Sequence, residues 1–362
     1  MSGGASLPPA GSIEMTSRDL RNVVSIGGGT GLSCLLKGLK HSVFDPPVIE
    51  APAVKPWIGR LTAVVTVSDD GGSSGRLRNE LRVLPPGDIR NCMVALSTDE
   101  SLLSHLFQYR FPGSGQLHGH SFGNLFLTAL TGVTGDFLEA IRVSSYVLAI
   151  KGKIYPATLH DVRLEADLED GKRVFGESQI SMSASRIRSL SLSPPNCRPV
   201  PAVLEAIRRA DVITLGPGSL FTSLLPNLLV PGITRALRKS RAMKIYICNL
   251  MSQPGETIGF SAADHVSTIY NHTGDGLFDC MILNNQPISP TVLSRYRRQG
   301  SMPVPTDRKR IAALGLRICE GSLLARGRVV RHDPIRLATA VQRTYERWKV
   351  SGKGAAMEES DS

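Results

Sequence analysis

The chain has 362 residues, of which 41% are hydrophobic and 20% are charged. This composition supplies enough apolar material for a core and excludes a largely disordered protein. With 42 Lys and Arg against 31 Asp and Glu, the net charge is +11, which leaves nucleic acid, an acidic membrane surface and an anionic small molecule open as partners. No run of about 18 apolar residues is free of charges, so a membrane-spanning helix is not predicted.

The first 21 residues are polar, contain glycine and proline, and lack the apolar segment of a secretory signal. We therefore predict a flexible leader at residues 1–21, a single domain at residues 22–349 and a disordered tail at residues 350–362. The expected compartment is the cytoplasm.

Strand and helix patterns alternate after the leader. A short apolar run at residues 22–26 stops at three glycines, and leucines at helical spacing follow at residues 30–40. A second, almost wholly apolar run at residues 61–67 is typical of a parallel strand covered on both faces. Turn-forming residues at 68–75 lead into a helix predicted at residues 76–83.

Residues 87–150 are predicted to be mainly helical, and residues 151–195 change to period-two alternation with a hairpin signal at Asp170-Gly171, which predicts a small β excursion. Apolar runs and helical periodicity predict the remaining elements: a helix at 202–210, strands at 211–215, 244–248 and 280–283, and a last helix at 334–349. This order predicts an α/β fold, a Rossmann-like three-layer αβα arrangement with a mostly parallel, doubly wound sheet.

The GGGTG turn at residues 27–31 is the first candidate site. Glycines at a strand end let the backbone approach a ligand closely, and the helix that follows offers unpaired N–H groups and a partial positive charge to a phosphate. The spacing matches neither the dinucleotide-binding G-x-G-x-x-G pattern nor the P-loop pattern. A tight turn without a ligand would need the same glycines, so this turn alone leaves both interpretations open.

Asp69 and Asp70 lie in the turn that follows the second predicted strand. In doubly wound sheets the carboxyl ends of the strands are where ligands bind, and carboxylates beside phosphates hold magnesium. If the protein is an enzyme, these two residues are the candidate catalytic and magnesium-binding groups. The same SDDGGSSG sequence is also typical of a turn and a helix cap, so the alternatives stay open.

The GPGSLFTS segment at residues 216–223 repeats the arrangement of strand, glycine turn and helix start with hydroxyl groups. Two such turns in one sheet predict a site for two phosphates or for a diphosphate. Arg76, Arg78 and Arg90 lie near the turns in sequence and offer bidentate phosphate contacts, with solvation at the surface as the alternative. Asn91 is a further polar candidate among apolar helical residues.

The six cysteines lie far apart, with no C-x-x-C pair and no histidine at metal-ligand spacing, which predicts buried, reduced thiols and neither zinc nor disulfides. No nucleophile elbow or zinc-protease motif is present. Basic runs occur at residues 295–310 and 326–336, but Tyr296 is the only aromatic residue in them, so nucleic acid is not the expected partner. A homo-oligomer stays open.

Six segments together resemble one known family: VVSIGGGTGLSCLLKGLK, LTAVVTVSDDGGSSGRLRNELRVLPPGDIRNCMVAL, LFQYRF, GHSFGNLFLTALTG, LGPGSLFTSLLPNLLVPGI and CNLMSQPGETIGFSAADHV. They are similar to the bacterial gluconeogenesis factor family (YvcK type), a branch of the CofD-like group that also contains 2-phospho-L-lactate transferase. The resemblance runs from about residue 22 to 349.

This resemblance implies a Rossmann-like fold, binding of a UDP-sugar such as UDP-N-acetylglucosamine, and a cytoplasmic role in cell shape and cell-wall homeostasis during gluconeogenic growth. For the transferase relatives it implies a magnesium-dependent transfer from a nucleotide-diphosphate-linked donor, and turnover by this chain stays open. Carried over by residue, the implied ligand contacts are Gly28, Gly29, Thr30, Gly31, Gly216, Gly218, Ser219, Thr222, Asn249 and Arg331, with Asp69 and Asp70 beside them.

Overall fold

The structure is a computed structural model that describes residues 20–44, 56–98 and 102–351. The predicted leader and the predicted tail lie almost wholly outside the described residues. So does most of the proline-rich loop between the first helix and the second strand.

The described residues contain ten strands, in two sheets. In chain order they are β1 (Arg21–Gly27), β2 (Ile58–Val65), β3 (Lys153–Pro156), β4 (Arg163–Leu168), β5 (Arg173–Phe175), β6 (Ile187–Ser193), β7 (Val212–Leu215), β8 (Met243–Ile247), β9 (Cys280–Asn284) and β10 (Arg317–Gly321). Seven of them form a parallel sheet in the order β10-β9-β8-β7-β1-β2-β3. The other three form an antiparallel sheet in the order β5-β4-β6.

Helices connect the parallel strands, as parallel pairing requires. Those in the described residues are α1 (Gly29–Leu39), α2 (Gly72–Leu81), α3 (Gly87–Leu96), α4 (Leu102–Gln108), α5 (Phe122–Thr134), α6 (Phe137–Val147), α7 (Glu177–Ser181), α8 (Pro201–Arg208), α9 (Leu225–Leu229), α10 (Ile233–Lys239), α11 (Ala262–Thr273), α12 (Pro290–Arg298), α13 (Arg308–Ala313) and α14 (Pro334–Val350). A single turn of π-helix at Leu220–Leu224 precedes α9.

The main sheet separates two apolar layers. Successive side chains of a strand point to opposite faces, so Val23 of β1 packs with Leu32 of α1, while Val24 and Ile26 pack on the other face. Both faces are covered, which explains why these strands are almost wholly apolar in sequence. The predicted three-layer α/β fold is confirmed.

The chain reverses its order across the main sheet between β1 and β7. From β1 the chain proceeds outward through β2 to β3, and later it returns to β7 and proceeds in the opposite direction to β10. Helices on either side of such a switch point splay apart above the carboxyl ends of the two strands. The crevice that they leave lies above Gly27 of β1 and Leu215 of β7.

One strand prediction needs correction, and one strand of the structure has no counterpart among the predictions. The region 151–195 was predicted as a β excursion, but its first strand, β3, pairs with β2 as the edge of the main sheet. The excursion sheet is therefore limited to β4, β5 and β6, and its Asp170-Gly171 hairpin is present, with Gly171 at φ +85°. Strand β10 was not predicted because, as the other edge strand, it has no fully buried residue and lacks the apolar run of a central strand.

Within the described residues, no single helix has the length and apolar character needed to cross a membrane. The pair Leu220–Leu229 and Ile233–Lys239 passes that test only when its two parts are joined across a 77° bend.

Candidate functional site

The two predicted glycine turns meet at the switch point of the sheet. One connects β1 to α1, and the other follows β7. A Cβ on Gly31 would lie 2.2 Å from the carbonyl oxygen of Pro217, so only glycine permits the contact between the turns. At Gly28 a Cβ would lie 2.6 Å from a carboxylate oxygen of Asp88. The sequence signal for close backbone approach therefore has a definite cause at both positions.

A cleft of about 900 Å³ opens above these turns. Its lining includes most of the residues that the sequence indicated as ligand contacts: Gly28, Gly29, Thr30, Gly31, Asn91, Gly218, Ser219, Thr222, Asn249 and Arg331. Gly216 does not line it. That glycine has φ +86°, and a Cβ there would lie 2.8 Å from the carbonyl oxygen of Ile247, so its place is in the turn itself.

The backbone at the start of α1 is open to the cleft. Gly28 is the N-cap and supplies no capping side chain. The N–H groups of the first helical turn have no acceptor within a helix, and they carry the positive end of its dipole. One of them, the N–H of Gly29, lies close to the carboxylate of Asp88 and favours its charged form. Thr30, whose exposed side chain lines the cleft, comes next.

Asn249 fixes the second turn. Its Nδ2 donates to the carbonyl oxygen of Gly218 at 2.8 Å, and its Oδ1 accepts the N–H of the same residue at 3.1 Å. This two-way bond holds the Gly218 peptide in one orientation. Asn249 therefore has a structural task in the turn, in addition to its place in the cleft wall.

Glu256 holds the helical turn that follows. Its Oε2 accepts the hydroxyl of Ser219 and, at 3.3 Å, the N–H of Phe221, while Oε1 accepts the hydroxyl of Ser181 at 3.2 Å. Ser219 also accepts the N–H of Thr222 at 3.1 Å. Burial raises the pKa of the Glu256 carboxyl. Predicted ligand contacts are thus tied to an acid that the sequence did not indicate.

Acidic side chains gather beside the first turn. Burial, followed by the negative charge of Asp69, raises the pKa of Asp88 to about 6. Burial likewise raises the pKa of Asp69. The carboxyl of Glu177, from α7, lies in the cleft wall, and burial together with the charges of Asp69 and Asp88 raises its pKa to about 9. Of these three acids, Glu177 is the one that lines the cleft.

The two predicted catalytic aspartates have different surroundings, and neither lines the cleft. Asp69 accepts the N–H of Gly71 at 2.8 Å and faces Asp88. Asp70 instead turns to the excursion, where its Oδ1 accepts both the N–H and the hydroxyl of Ser178, at 2.9 and 2.7 Å. Asp70 therefore joins the main sheet to α7.

The acids fit a magnesium ion only in the presence of a phosphate ligand. In the described part of the chain, no group of three or more His, Cys, Asp or Glu side chains is arranged to hold a metal. Magnesium is commonly held by one or two carboxylates plus substrate phosphates and water. Asp69 and Asp88 are the pair that meets this description, whereas Asp70 points away from it.

The far end of the cleft has a different character. Asp333 brings negative charge close to Cys34, and Arg331 and Lys37 bring positive charge. The Cys34 thiol donates to the carbonyl oxygen of His332. The imidazole of His332 is buried and lines the cleft, and its Nε2 has no hydrogen-bond partner. Burial lowers its pKa to about 4, so this ring is neutral at physiological pH. Only Arg331 of this group was predicted.

The arginines suggested as phosphate contacts serve the fold instead. Arg76 donates to the carbonyl oxygen of His118, and Arg78 donates to that of Val162 at 2.6 Å while pairing with Asp161. Arg90 donates to Asn91 Oδ1 at 2.7 Å. None of the three arginines lines the cleft.

Comparison with known proteins places this fold in a known family. The family described as 2-phospho-L-lactate transferase CofD matches residues 23–324. A gluconeogenesis factor from Halalkalibacterium halodurans is 47% identical over 322 residues, which cover 89% of this chain and 95% of the relative. The gluconeogenesis factor of Bacillus subtilis is 45% identical over 318 residues, covering 88% of this chain and 96% of the relative.

A solved structure supports the same relationship. The crystal structure of a Bacillus halodurans protein has a TM-score of 0.83 at 46% identity, covering 89% of this chain and 99% of that one. The resemblance found in the sequence is therefore confirmed. The chain belongs to the 2-phospho-L-lactate transferase CofD family, together with relatives that are named gluconeogenesis factor.

Proposed function

We propose that this protein is a gluconeogenesis factor that binds a nucleotide-diphosphate sugar of the UDP-N-acetylglucosamine class in the cleft at the switch point. The observation that carries the proposal is the contact between the two glycine turns, at Gly31 and Pro217, directly below that cleft. Two strand ends and a helix N-terminus converge there, which is the arrangement that favours a diphosphate. The cleft volume lies at the upper end of the range for small-molecule sites.

In this proposal the diphosphate lies along the two turns. Gly28, Gly29, Thr30 and Gly31 contact it from the first turn. Gly218, Ser219 and Thr222 contact it from the second turn, with Gly216 shaping that turn from below. Asn91, Asn249 and Arg331 then face the base or the sugar.

The proposal gives the protein a regulatory role with no required turnover. It includes the cytoplasmic function in cell shape and cell-wall homeostasis during gluconeogenic growth that the sequence resemblance implies. The names of the relatives support the gluconeogenic part of this role.

Calorimetric titration with UDP-N-acetylglucosamine tests the proposal, and Thr30 gives a sharp variant pair. The Thr30 side chain is exposed, lines the cleft and lies in the first turn of α1. Thr30→Glu places a negative charge where the diphosphate would lie, while the helix dipole favours that charge in the folded protein. Thr30→Gln has nearly the same shape without the charge.

We expect saturable heat with the wild type, at least a tenfold loss of affinity in Thr30→Glu and a much smaller loss in Thr30→Gln. Thermal unfolding should show both variants as stable as the wild type. Equal affinity in all three proteins would contradict the placement of the diphosphate at the first turn. No heat with any uridine or guanosine diphosphate ligand would contradict the proposal as a whole.

A magnesium-dependent phospho-transferase is the second candidate, and the neighbouring carboxylates of Asp69 and Asp88 favour it. These two residues would hold magnesium, which neutralises negative charge on a phosphate during transfer. Product formed from a nucleotide-diphosphate-linked donor and an acceptor alcohol, absent in Asp88→Asn, would support turnover. If a panel of donors yields no product with the wild type, the enzyme candidate is dropped.

A further inference from the structure

Helices α4 and α5 carry no charged side chain. Neither the 7 residues of α4 nor the 13 residues of α5 include Asp, Glu, Lys or Arg, although 20% of the whole chain is charged. In α5 the hydroxyls of Thr131 and Thr134 donate to carbonyl oxygens of their own helix, both at 2.8 Å. A helix at the surface of a globular protein normally turns charged and polar residues to water, so this composition is typical of covered helices.

The fold covers only one side of α5, because just three of its 13 residues are buried. Residues 126, 129, 130 and 133 recur at i, i+3, i+4 and i+7 and therefore share one side of the helix. Val133 is 84% exposed there, Ala129 is exposed, and Phe126 and Leu130 are half-buried. Within the described residues, this apolar side of α5 has no cover.

Helix α4 extends the uncovered surface. Leu102, at its start, is 83% exposed, and Leu106 and Tyr109 follow at helical spacing and are also exposed. The buried ring of Phe107 joins the two helices, since its centroid lies 5.1 Å from that of Phe126. We call the combined surface the apolar face, and its residues are Leu102, Leu106, Tyr109, Phe126, Ala129, Leu130 and Val133.

Neither a bilayer nor an acidic partner matches the apolar face. At about 1.5 Å per residue α5 is about 20 Å long, which is short of the ~30 Å hydrocarbon core of a membrane. A helix that lies on a membrane surface has a charged side rich in Lys and Arg, which α4 and α5 both lack. Nucleic acid likewise needs cations to contact its phosphates.

A second copy of this chain is the partner that the charge distribution selects. In a two-fold symmetric dimer the same surface patch is used by both subunits, so a charged side chain near the axis would meet its own like charge. Two chains that each carry a net charge of +11 repel each other over much of their surfaces. They approach with the least repulsion through a face without charge, and homodimer interfaces are more apolar than the rest of the surface.

We propose that the apolar face is the interface of a homodimer, in which α4 and α5 of one copy pack on α4 and α5 of the other. Helix α4 also borders the cleft, through Ser104, His105 and Gln108. No residue of the apolar face lines the cleft, so the second copy lies beside the cleft without filling it. The inference therefore does not depend on the proposed function.

Sedimentation velocity of the full chain over a range of concentrations tests the inference. We expect the wild type to form a species of twice the chain mass. Because the interface is apolar and the net charges repel, added salt should leave the dimer as stable or make it more stable. A dimer held by contacts between opposite charges would instead weaken with salt.

Val133→Lys and Ala129→Lys each place two like charges at the interface of the dimer. Both positions are exposed, lysine has good helix propensity, and a cation near the end of α5 is favoured by its dipole, so we expect the subunit to fold with wild-type circular dichroism. The dissociation constant of the dimer should rise at least tenfold in both variants. Phe175→Lys is the control, because Phe175 is an exposed large apolar residue on β5, outside the apolar face, and its replacement should leave the dimer unchanged.

Hydroxyl-radical footprinting of the wild type gives a second measurement that needs no variant. Oxidation of Tyr109 should fall as the protein concentration rises, while oxidation of Phe175 should stay constant. A wild type that is monomeric at every concentration, or a dimer that both lysine variants leave intact, would overturn the inference. So would a monomer that binds vesicles of neutral phosphatidylcholine through this face, or one whose Tyr109 is protected at every concentration by another part of the chain.

Discussion

At the scale of single residues, the first glycine turn carries a cost to the fold. The N–H of Gly29, at the positive end of α1, lies close to the Asp88 carboxylate and favours its negative charge. Burial and the charge of Asp69 oppose that charge more strongly, so the pKa of Asp88 is raised to about 6. At neutral pH Asp88 is therefore ionised at a position where the folded protein favours the neutral form. A bound cation or a ligand donor group would relieve this disfavoured charge.

Asp88→Asn should stabilise the protein near pH 7. The pKa of Asp88 in the folded protein lies above the unfolded value of about 3.9. The contribution of Asp88 to the stability of the wild type is therefore most favourable below pH 4 and is lost as the pH rises to about 6. The variant does not titrate, and its amide keeps an oxygen close to the Gly29 N–H. We expect a gain of about 1–2 kcal/mol at pH 7 that disappears below about pH 4.

Urea unfolding of both proteins between pH 3.5 and 8 measures this difference. Asp167→Asn serves as a control, because Asp167 is paired with Arg173 and its pKa is lowered, so the variant should lose stability at pH 7. A stability difference for Asp88→Asn that stays constant across the pH range would contradict the raised pKa of Asp88.

At the scale of elements, glycines set how closely the helices approach. Gly38, near the end of α1, faces the start of α14, and a Cβ there would lie 1.9 Å from the carbonyl oxygen of Pro334. Helix α1 carries Thr30 and Gly31 into the cleft, and Pro334 lines the same cleft. The α1–α14 contact therefore supports two walls of the proposed binding site.

Gly38→Ala should destabilise the protein by about 1–3 kcal/mol, because the backbone of α14 must move to admit the methyl group. Gly132→Ala is the matched control: it is also a glycine within a helix, but apart from its chain neighbours and the backbone of its own helix no atom lies within 4 Å of the Cβ position. This second change should stabilise the protein by about 0.5–1 kcal/mol through helix propensity. Opposite shifts of the urea midpoint are expected, and a stable Gly38→Ala would show that the two helices are not in close contact.

The sequence predicted best the elements whose signal lies in their own residues. The central strands β1, β2, β7, β8 and β9 are continuous apolar runs because both faces of the sheet are covered. The edge strands gave no such signal: β10 is only partly buried, and β3 falls inside the region 151–195 that the sequence assigns to the β excursion. Burial in a sheet is thus visible in the sequence, whereas the edge of a sheet is much less so.

The same distinction applies to the candidate site: the residues with a local sequence signal were predicted, and those that only folding brings together were not. Its glycine turns were visible because each one directly follows a strand, and most of the residues predicted from them line the cleft. Asp88, Glu177 and Glu256 were missed because each comes from a separate segment, and only folding brings those segments to the switch point. An acid in a helix or loop gives no sign in the sequence that it faces other acids.

At the scale of the whole molecule, the excess positive charge of +11 is not spread evenly over the structure. Several cations of the basic C-terminal region are used within the fold, as Arg308 pairs with Glu320 and Arg310 with Asp264 and Asp307. Within the cleft, negative and positive side chains are separated. Its acids lie beside the glycine turns, and Lys37 and Arg331 lie at the far end. A ligand of the proposed class would meet both kinds of charge.

Asp70 links the two sheets of the molecule, and its variants test whether that link supports the cleft. Asp70→Ala removes both hydrogen bonds to Ser178 and should loosen α7, which carries Glu177 and Ser181 into the cleft wall. Asp70→Asn keeps an oxygen that accepts the same two bonds. We therefore expect faster amide exchange in residues 177–182 and weaker ligand binding in the alanine variant, and nearly wild-type behaviour in the asparagine variant. If Asp70→Asn loses activity or ligand affinity while exchange in α7 stays normal, Asp70 acts directly on the ligand, as the transferase candidate with Asp69 and Asp70 as its catalytic pair would require.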